Sequence, residues 1–519
     1  MSLNFKMLNE INLENYNYKL PRERIAEFPL EDRAMSKLMY VNAITCKIEH
    51  RCFNDIPELL SENSLLVVNE TRVIAARLLM KKQTGGSVEL LCVEPIEPSF
   101  EPQIVMNATG KCKWKCIVGG RRVKPAMKLQ LFKNDSTLDF SAIVIERIEN
   151  EALVEFVWKP SELSFAAVLE KIGITPLPPY IKRDALPSDK VSYQTIYAEN
   201  DGSVAAPTAG LHFTEEIFER IAKKGIDTCK VSLHIGPGTF KPIEGNSIVD
   251  HNMHSERFSV SAKVIDKIIK HYKKFGEKAK VVATGTTSLR TLESLYWLGA
   301  RLLKEGIGLV GSETESLNRS CANNKIIALK SPLPPFFKGG ISFLSNFFKG
   351  GISFLFNFEK GGKSESLSFS KGEKREIPPI SEGVNKEIPP ISEGVNKEIP
   401  PLKKGGRGDL YDLNQWDSYK LEAEGKLPTA IEAYSSILDI MNKNNITEIS
   451  GRTQLFIFPG YKFKIVNGLI TNYHIPKSTL ILLVASFLGD NLWRQAYEAA
   501  LENDYRFLSY GDASLLMRY

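Results

Sequence analysis

The 519-residue chain lacks an apolar run long enough to cross a bilayer. Its most apolar late stretch, STLILLVASFLG at 478–489, falls short of the roughly 20 residues a spanning helix needs and reads as a buried helix. The first 24 residues, MSLNFKMLNEINLENYNYKLPRER, hold no apolar stretch behind a basic start, so no signal peptide is expected. Cysteine is sparse and odd in number, seven in all, with no CxxC pair; Cys112 and Cys116 are separated by three residues, a spacing taken as incidental. This usage argues for reduced thiols, a cytoplasmic home and no structural zinc. An excess of charge of one sign is also nearly absent, with 67 Lys and Arg against 61 Asp and Glu. Of the net +6, residues 331–408 supply +4 (12 Lys and Arg against 8 Asp and Glu), leaving +2 for the rest, so bulk charge does not argue for nucleic-acid binding.

What is present changes texture along the chain. Residues 1–75 alternate short helices and strands: a helical turn from Pro21, strands at SKLMYVNA and KIEHRCF, and a buried strand in SLLVVNETRVIAARL that runs into a polar turn at Asn69–Arg72. From 76 to 160 short alternating strands follow one another between turns rich in Gly, Pro and Asn, with no convincing helix, which is the pattern of a small antiparallel β-barrel inserted as a second domain. The α/β pattern resumes over 161–330 and 409–519. Towards the C-terminus it predicts an amphipathic helix, then strand, turn, strand and loop from TQLFIF onward, then the buried helix and a last helix ending in an aromatic turn. The expected fold is therefore an α/β body interrupted by the barrel. Residues 331–408 stand apart. FFKGGISFL and EIPPISEGVNK each recur at an offset of 11, and nine of the 27 prolines lie here. Such repeats cannot bury enough apolar area to offset chain entropy, and a disordered insertion is expected.

Histidine is scarce, yet four of the seven fall between 201 and 256 among glycine, proline and threonine. His212 ends PTAGLH just before a helix start. His234 opens HIGPGTF, where Gly236 and Gly238 allow close approach to a ligand. His251 and His254 lie in DHNMHSE, where an extended chain puts His254 and Glu256 on one face. Farther on, Thr284-Gly285-Thr286-Thr287 joins an apolar strand to a helix carrying Arg290, a place where backbone N–H groups attract anions. Thr471–Thr479 adds His474 and Lys477 at the end of another strand. Each piece has a bland reading as a turn, a cap or a satisfied histidine. Together they suggest one cleft at a sheet edge, because ligand sites in open α/β folds gather there. No HExxH or third ligand argues for a metal.

These segments, in order, resemble the S-adenosylmethionine:tRNA ribosyltransferase-isomerases of queuosine biosynthesis. The matching blocks are NETRVIAARL, YIKRDALPSDKVSYQTIYAENDGSVAAPTAGLHF, SLHIGPGTFKPIE, HNMHSERF, ATGTTSLRTLES, IFPGYKFKIVNGLITNYHIPKSTL and YRFLSYGDA. Two departures are Glu70, where many relatives have Asp or Asn, and the 331–408 repeats. The resemblance implies that S-adenosylmethionine donates its ribosyl portion to the 7-aminomethyl-7-deazaguanine of a tRNA wobble position. Epoxyqueuosine-tRNA forms, and adenine and methionine leave. It implies no cofactor beyond S-adenosylmethionine as co-substrate, no metal and no membrane, and a monomer. For site residues it implies proton transfer by His212, His234, His254 and Glu256. Gly236, Gly238, Thr284, Gly285, Thr286 and Thr287 would line the donor pocket, with His474 among the binding residues. Arg72, Lys182, Arg183, Arg290 and Lys477 would meet the methionine carboxylate or tRNA phosphates. An S-adenosylmethionine-dependent RNA methyltransferase is the alternative, but it would want a GxGxG loop after the first strand. A non-catalytic RNA-binding module would leave the histidine-rich loops unexplained.

Overall fold

A computed structural model describes residues 11–132, 137–240, 242–243, 248–249, 251–306 and 411–518; the 331–408 repeats lie outside these described residues. Ahead of the barrel come β1 (Lys37–Asn42), β2 (Lys47–Cys52), β3 (Ser64–Asn69) and β4 (Thr71–Val73). The barrel strands are β5 (Arg77–Lys82), β6 (Ser87–Glu97), β7 (Lys111–Gly119), β8 (Lys128–Leu131), β9 (Asp139–Ile148) and β10 (Glu151–Lys159). After them come β11 (Asn200–Ser203), β12 (Asp227–His234), β13 (Glu256–Ser261), β14 (Lys280–Thr284), β15 (Tyr411–Leu413), β16 (Glu448–Thr453), β17 (Gly468–Asn472) and β18 (Ala513–Met517). The principal helices are α1 (Phe165–Ile172), α2 (Glu215–Lys223), α3 (Ala262–Phe275), α4 (Gly285–Lys304), α5 (Ala430–Lys443), α6 (Thr479–Leu488) and α7 (Asp490–Glu502).

The body is one ten-stranded mixed sheet in the order β15-β16-β13-β12-β3-β14-β17-β18-β1-β2. Its centre, β12-β3-β14-β17, is a parallel block. β3 and β17 are buried along their whole length, as strands covered on both faces must be. The chain leaves β3 for β12 on one side and returns to β14 on the other, so the strand order switches beside β3. A crevice opens at the carboxyl ends of strands at such a point.

The barrel is closed in the order β10-β7-β6-β5-β8-β9, and all its pairings are antiparallel. β7 and β10 alternate buried and half-exposed residues, the period-2 pattern read from sequence. Phe165 at the start of α1 fills the interior, with its ring 5.5 Å from those of Phe156 and Trp158 and 5.7 Å from Trp114. Cys92, Cys112 and Cys116 are buried among the barrel's apolar side chains. Burial raises the Cys112 and Cys116 thiols above their ordinary range.

Some local expectations change. A short helix, Pro102–Met106, does interrupt the barrel strands. The turn expected at Asn69–Arg72 is a single break at Glu70, after which β4 pairs in parallel with β11. TQLFIF is not a strand: β16 ends at Thr453, and the chain runs without regular structure to β17. The C-terminal aromatic turn leads into β18, an added central strand.

Helix α4 lies inside the protein, with 17 of its 20 residues buried. Two charged side chains are buried on it. Glu293 accepts the backbone N–H groups of Lys464 (3.0 Å), Ile465 (2.9 Å) and Val466 (3.0 Å) and the Tyr461 hydroxyl (2.9 Å). Those bonds hold the irregular 454–467 segment, because a strand there would have needed the same N–H groups for a ladder. Burial raises the Glu293 carboxyl above its usual range even against these donors. At its far end α4 crosses α5 at Gly299, where a Cβ would sit 2.0 Å from the Ala433 carbonyl oxygen. We expect Gly299→Ala to destabilise the protein by about 1–3 kcal/mol through this overpacking. An unchanged urea midpoint would show that the helices do not cross this closely.

Candidate functional site

Two cavities lie at the carboxyl edge of the parallel block, on either side of Leu480. The first is lined by Ala206–Ala209 after β11, Ile235 after β12, Gly285–Thr287 after β14 and Thr471–Ile475 at the end of β17. The second is lined by Gly238, His251, His254, Glu256, Arg290 and Leu455 among others. Most of these segments end or follow strands of the ten-stranded sheet, whereas Ala206–Ala209 follows β11 of the two-stranded sheet formed with β4.

β14 passes directly into α4, without the hydroxyl-rich turn expected from sequence; Gly285 takes the bend at φ +83°. Thr284 occupies the N-cap position but its side chain makes no capping bond. Its buried hydroxyl has no hydrogen-bond partner among the described residues. The first N–H groups of a helix have no intrahelical acceptor, so the head of α4, facing the first cavity at Gly285–Thr287, suits a carboxylate or phosphate. Asn69 at the end of β3 ties these ends together. Its carboxamide donates to the Leu233 carbonyl (3.0 Å) and accepts the Leu233 N–H (3.0 Å), and its Nδ2 lies 3.4 Å from Thr287 Oγ1.

His212 closes a short 3₁₀ turn, Thr208–His212, before α2, as the sequence suggested. It is buried, not cavity-lining. Nδ1 lies 2.9 Å from Ser36 Oγ, and Nε2 lies 3.2 Å from Asn472 Nδ2. Burial holds the imidazole down at about 4, so it is neutral near pH 7. His474 lines the first cavity; its Nε2 is 3.0 Å from Thr471 Oγ1, and burial lowers it to about 3.

His254 and Glu256 both line the second cavity. Glu256 begins β13 and is ion-paired with Arg290; both side chains are buried. Arg290 also donates to the Leu455 carbonyl at 3.2 Å. The binder and the proton-transfer residue anticipated separately are thus one pair. Gly238 is needed here for His254: a Cβ would fall 1.9 Å from that ring. Gly236 would meet nothing within 4 Å.

The remaining residues are not brought to the cavities. His234 ends β12 with its ring beside Gly202. Arg183 grips the buried Asp189 with both nitrogens, at 2.7 and 2.8 Å. Burial works against the Asp189 carboxylate, but Arg183, the Leu186 N–H and the Tyr510 hydroxyl hold it below its ordinary range. Lys477 is paired with Glu14. Arg72 is exposed, donates to the Ala198 carbonyl at 2.9 Å and lies 3.9 Å from Asp201. Lys182 is exposed. Glu70 accepts from Asn200 (3.0 Å) and Ser232 (3.1 Å), and burial raises its carboxyl. Among the described residues no three His, Cys, Asp or Glu side chains converge as metal ligands, and no helix is long and apolar enough to cross a membrane. Sequence reasoning gave no role to Ser36, Asn472 and Asp512, and marked Asn69 only as the start of a polar turn. The only available signal was their position at strand ends.

A family model described as "Queuosine biosynthesis protein" matches residues 13–311 and 428–516 of this chain. A protein of Coxiella burnetii is 31% identical over 512 residues, covering 98% of this chain and 100% of its own length. One of Pelobacter propionicus is 30% identical over 506 residues, covering 97% and 99%. One of Thermotoga petrophila is 30% identical over 509 residues, covering 98% and 100%. All three are named S-adenosylmethionine:tRNA ribosyltransferase-isomerase.

Two outcomes follow from the buried charges. Glu256→Gln leaves Arg290 buried without its counter-charge and should cost about 3–5 kcal/mol. The double variant Glu256→Gln/Arg290→Met should lose less than the two single losses combined, as a double-mutant cycle in urea would reveal; additive losses would deny the coupling. For His212, the unfolded imidazole protonates near 6.5 and the folded one only near 4. Between those values the unfolded state binds more protons, so this contribution is complete above pH 6.5 and is lost as pH falls towards 4, at roughly 1.4 kcal/mol per unit. His212→Gln should flatten the decline in urea midpoint between pH 6.5 and 5; parallel declines would place the His212 titration elsewhere.

Proposed function

We infer the activity from the family: this chain belongs to the queuosine biosynthesis proteins, and it is an S-adenosylmethionine:tRNA ribosyltransferase-isomerase. It moves the ribosyl portion of S-adenosylmethionine onto the 7-aminomethyl-7-deazaguanine of a precursor tRNA, giving epoxyqueuosine-tRNA and releasing adenine and methionine. The observation that carries this reading is the extent of the match. It reaches all three body segments and the barrel and leaves out 312–427, the region that holds the repeats. The methyltransferase alternative is not favoured, since the relatives share one name and that name is not a methyltransferase's.

The site roles follow from the chemistry required. The sulfonium acidifies the adjacent C5′, so a base must take a proton there. Adenine needs an acid to leave, and the attacking amine must be neutral. In our reading the donor spans the two cavities, with its carboxylate at the head of α4 beside Thr284, Gly285, Thr286 and Thr287. Its reacting carbons face the second cavity, where His254 moves the protons and the Arg290–Glu256 pair supplies a fixed charge distribution. His234 and Gly236, at the end of β12, border the tRNA side. His212 acts from behind the wall. Exposed Lys182 and Arg72 suit tRNA phosphates, while Arg183 and Lys477 are committed to Asp189 and Glu14. The reaction needs no cofactor beyond S-adenosylmethionine. We place the enzyme in the cytoplasm as a monomer, consistent with reduced cysteines and a tRNA substrate.

The test is to incubate the protein with S-adenosylmethionine and precursor-bearing tRNA and to identify the small products. Adenine with methionine is expected. S-adenosylhomocysteine would instead mean methyl transfer, and an unchanged donor would mean binding alone. His254→Ala should fold and lose about 10²–10⁴-fold in rate, the usual worth of a positioned acid or base. Full epoxyqueuosine formation by that variant would remove His254 from the chemistry.

A further inference from the structure

A buried chain of hydrogen bonds runs from Ser36 to the wall of the first cavity, and every proton in it can be assigned. The Asp512 carbonyl can only accept, so the Asn472 atom 3.3 Å from it is the amide nitrogen, and Asn472 Oδ1 is the atom facing Thr208. That nitrogen also points at His212 Nε2, 3.2 Å away, which must then be a bare lone pair. The imidazole proton therefore sits on Nδ1 and is donated to Ser36 Oγ at 2.9 Å; Ser36 in turn donates to the Arg33 carbonyl at 3.1 Å. Burial keeps the imidazole neutral, so only one of its nitrogens carries a hydrogen. At the other end Asn472 Oδ1 can only accept, so Thr208, 2.9 Å away, spends its single hydroxyl hydrogen there. Thr208 lines the cavity. Its hydroxyl is left with lone pairs alone.

We propose that Thr208 is a specificity-determining residue that accepts a hydrogen bond from an N–H group of the bound donor, and that His212 is a positioning residue that fixes this polarity through Asn472. A freely rotating hydroxyl would accept a ligand donor or acceptor alike; this one rejects an acceptor, because a ligand oxygen placed there would leave both groups unpaired. Resting on the donor reading above, S-adenosylmethionine offers two such groups, the α-ammonium of its methionyl part and the exocyclic amine of its adenine. The shared chemistry is an N–H donor, and the experiment separates the two.

Calorimetric affinities of the full chain should be measured for S-adenosylmethionine, an analogue lacking the α-amino group, and an analogue carrying hypoxanthine in place of adenine. The wild-type protein should discriminate against one of the two analogues by roughly tenfold or more, the worth of a hydrogen bond to a half-buried acceptor. Which analogue is rejected identifies the group that is read. Thr208→Val should reduce that discrimination to within about twofold and Thr208→Ser should keep it. His212→Gln, whose carbonyl can still accept from Asn472, should keep it, whereas His212→Leu should lose it. A purely structural role would weaken all three ligands together and leave the ratios unchanged. Wild-type binding of both analogues within twofold of S-adenosylmethionine overturns the proposal without recourse to any variant, as does undiminished discrimination in Thr208→Val. No binding of S-adenosylmethionine at all would defeat the functional reading and this inference with it. Adenine and methionine release combined with unchanged discrimination in Thr208→Val would defeat this inference alone.

Discussion

The structure depends on the burial of α4 with its two charges satisfied. A helix with 17 of 20 residues buried would be expected to be apolar all round, yet this one carries Arg290 and Glu293. An isolated buried charge costs several kcal/mol, so each must recruit partners. Glu293 takes three backbone N–H groups and a tyrosine hydroxyl from the 461–466 stretch. Arg290 takes Glu256 and the Leu455 carbonyl. In satisfying them the protein fixes the segment between β16 and β17, the start of β13 and the register of α4 itself. These three features form the second cavity and one wall of the first.

The division of labour in the site follows from that constraint. The head of α4 faces the first cavity with N–H groups that have no intrahelical acceptor, beside a Thr284 hydroxyl without a partner among the described residues. It can meet an anion without reorganising, which is how preorganised dipoles contribute most. One turn farther in, Arg290 is committed to Glu256, so these two charges on the wall of the second cavity offset each other. His212 sits behind the cavity wall with both nitrogens used, which suits orientation of Asn472 better than proton traffic. Asn69 performs the corresponding service between β3, β12 and α4. His212 and Asn69 thus hold the wall of the first cavity without lining it themselves.

Much of this was legible in the chain. Alternation in KCKWKCIVG and EALVEFVWK gave the barrel because a half-buried strand has a period of two. SLLVVN and VVAT, apolar and followed by polar or glycine-rich residues, gave the parallel centre and the edge at which ligands gather. PTAGLHF, HNMHSE and TNYHIPKST were each ambiguous alone, and the structure brings residues of all three to the two cavities. What was illegible was pairwise and distant. A glutamate on a helix reads as solvated, and nothing near Glu293 in sequence announces the N–H groups of 464–466. Glu256 and Arg290 each looked like a free functional group because their pairing needs β13 to lie against α4. Arg183 and Lys477 looked like phosphate ligands for the same reason, until Asp189 and Glu14 were found beside them.

The central claim is that the two cavities flanking Leu480 are one donor site at the carboxyl edge of the parallel block. A crystal structure of the protein with S-adenosylmethionine tests it most directly. The account predicts continuous ligand density across Leu480, with the methionine carboxylate at the head of α4 and the ribose towards His254. Density confined to the barrel, or to a surface away from α4, would contradict it.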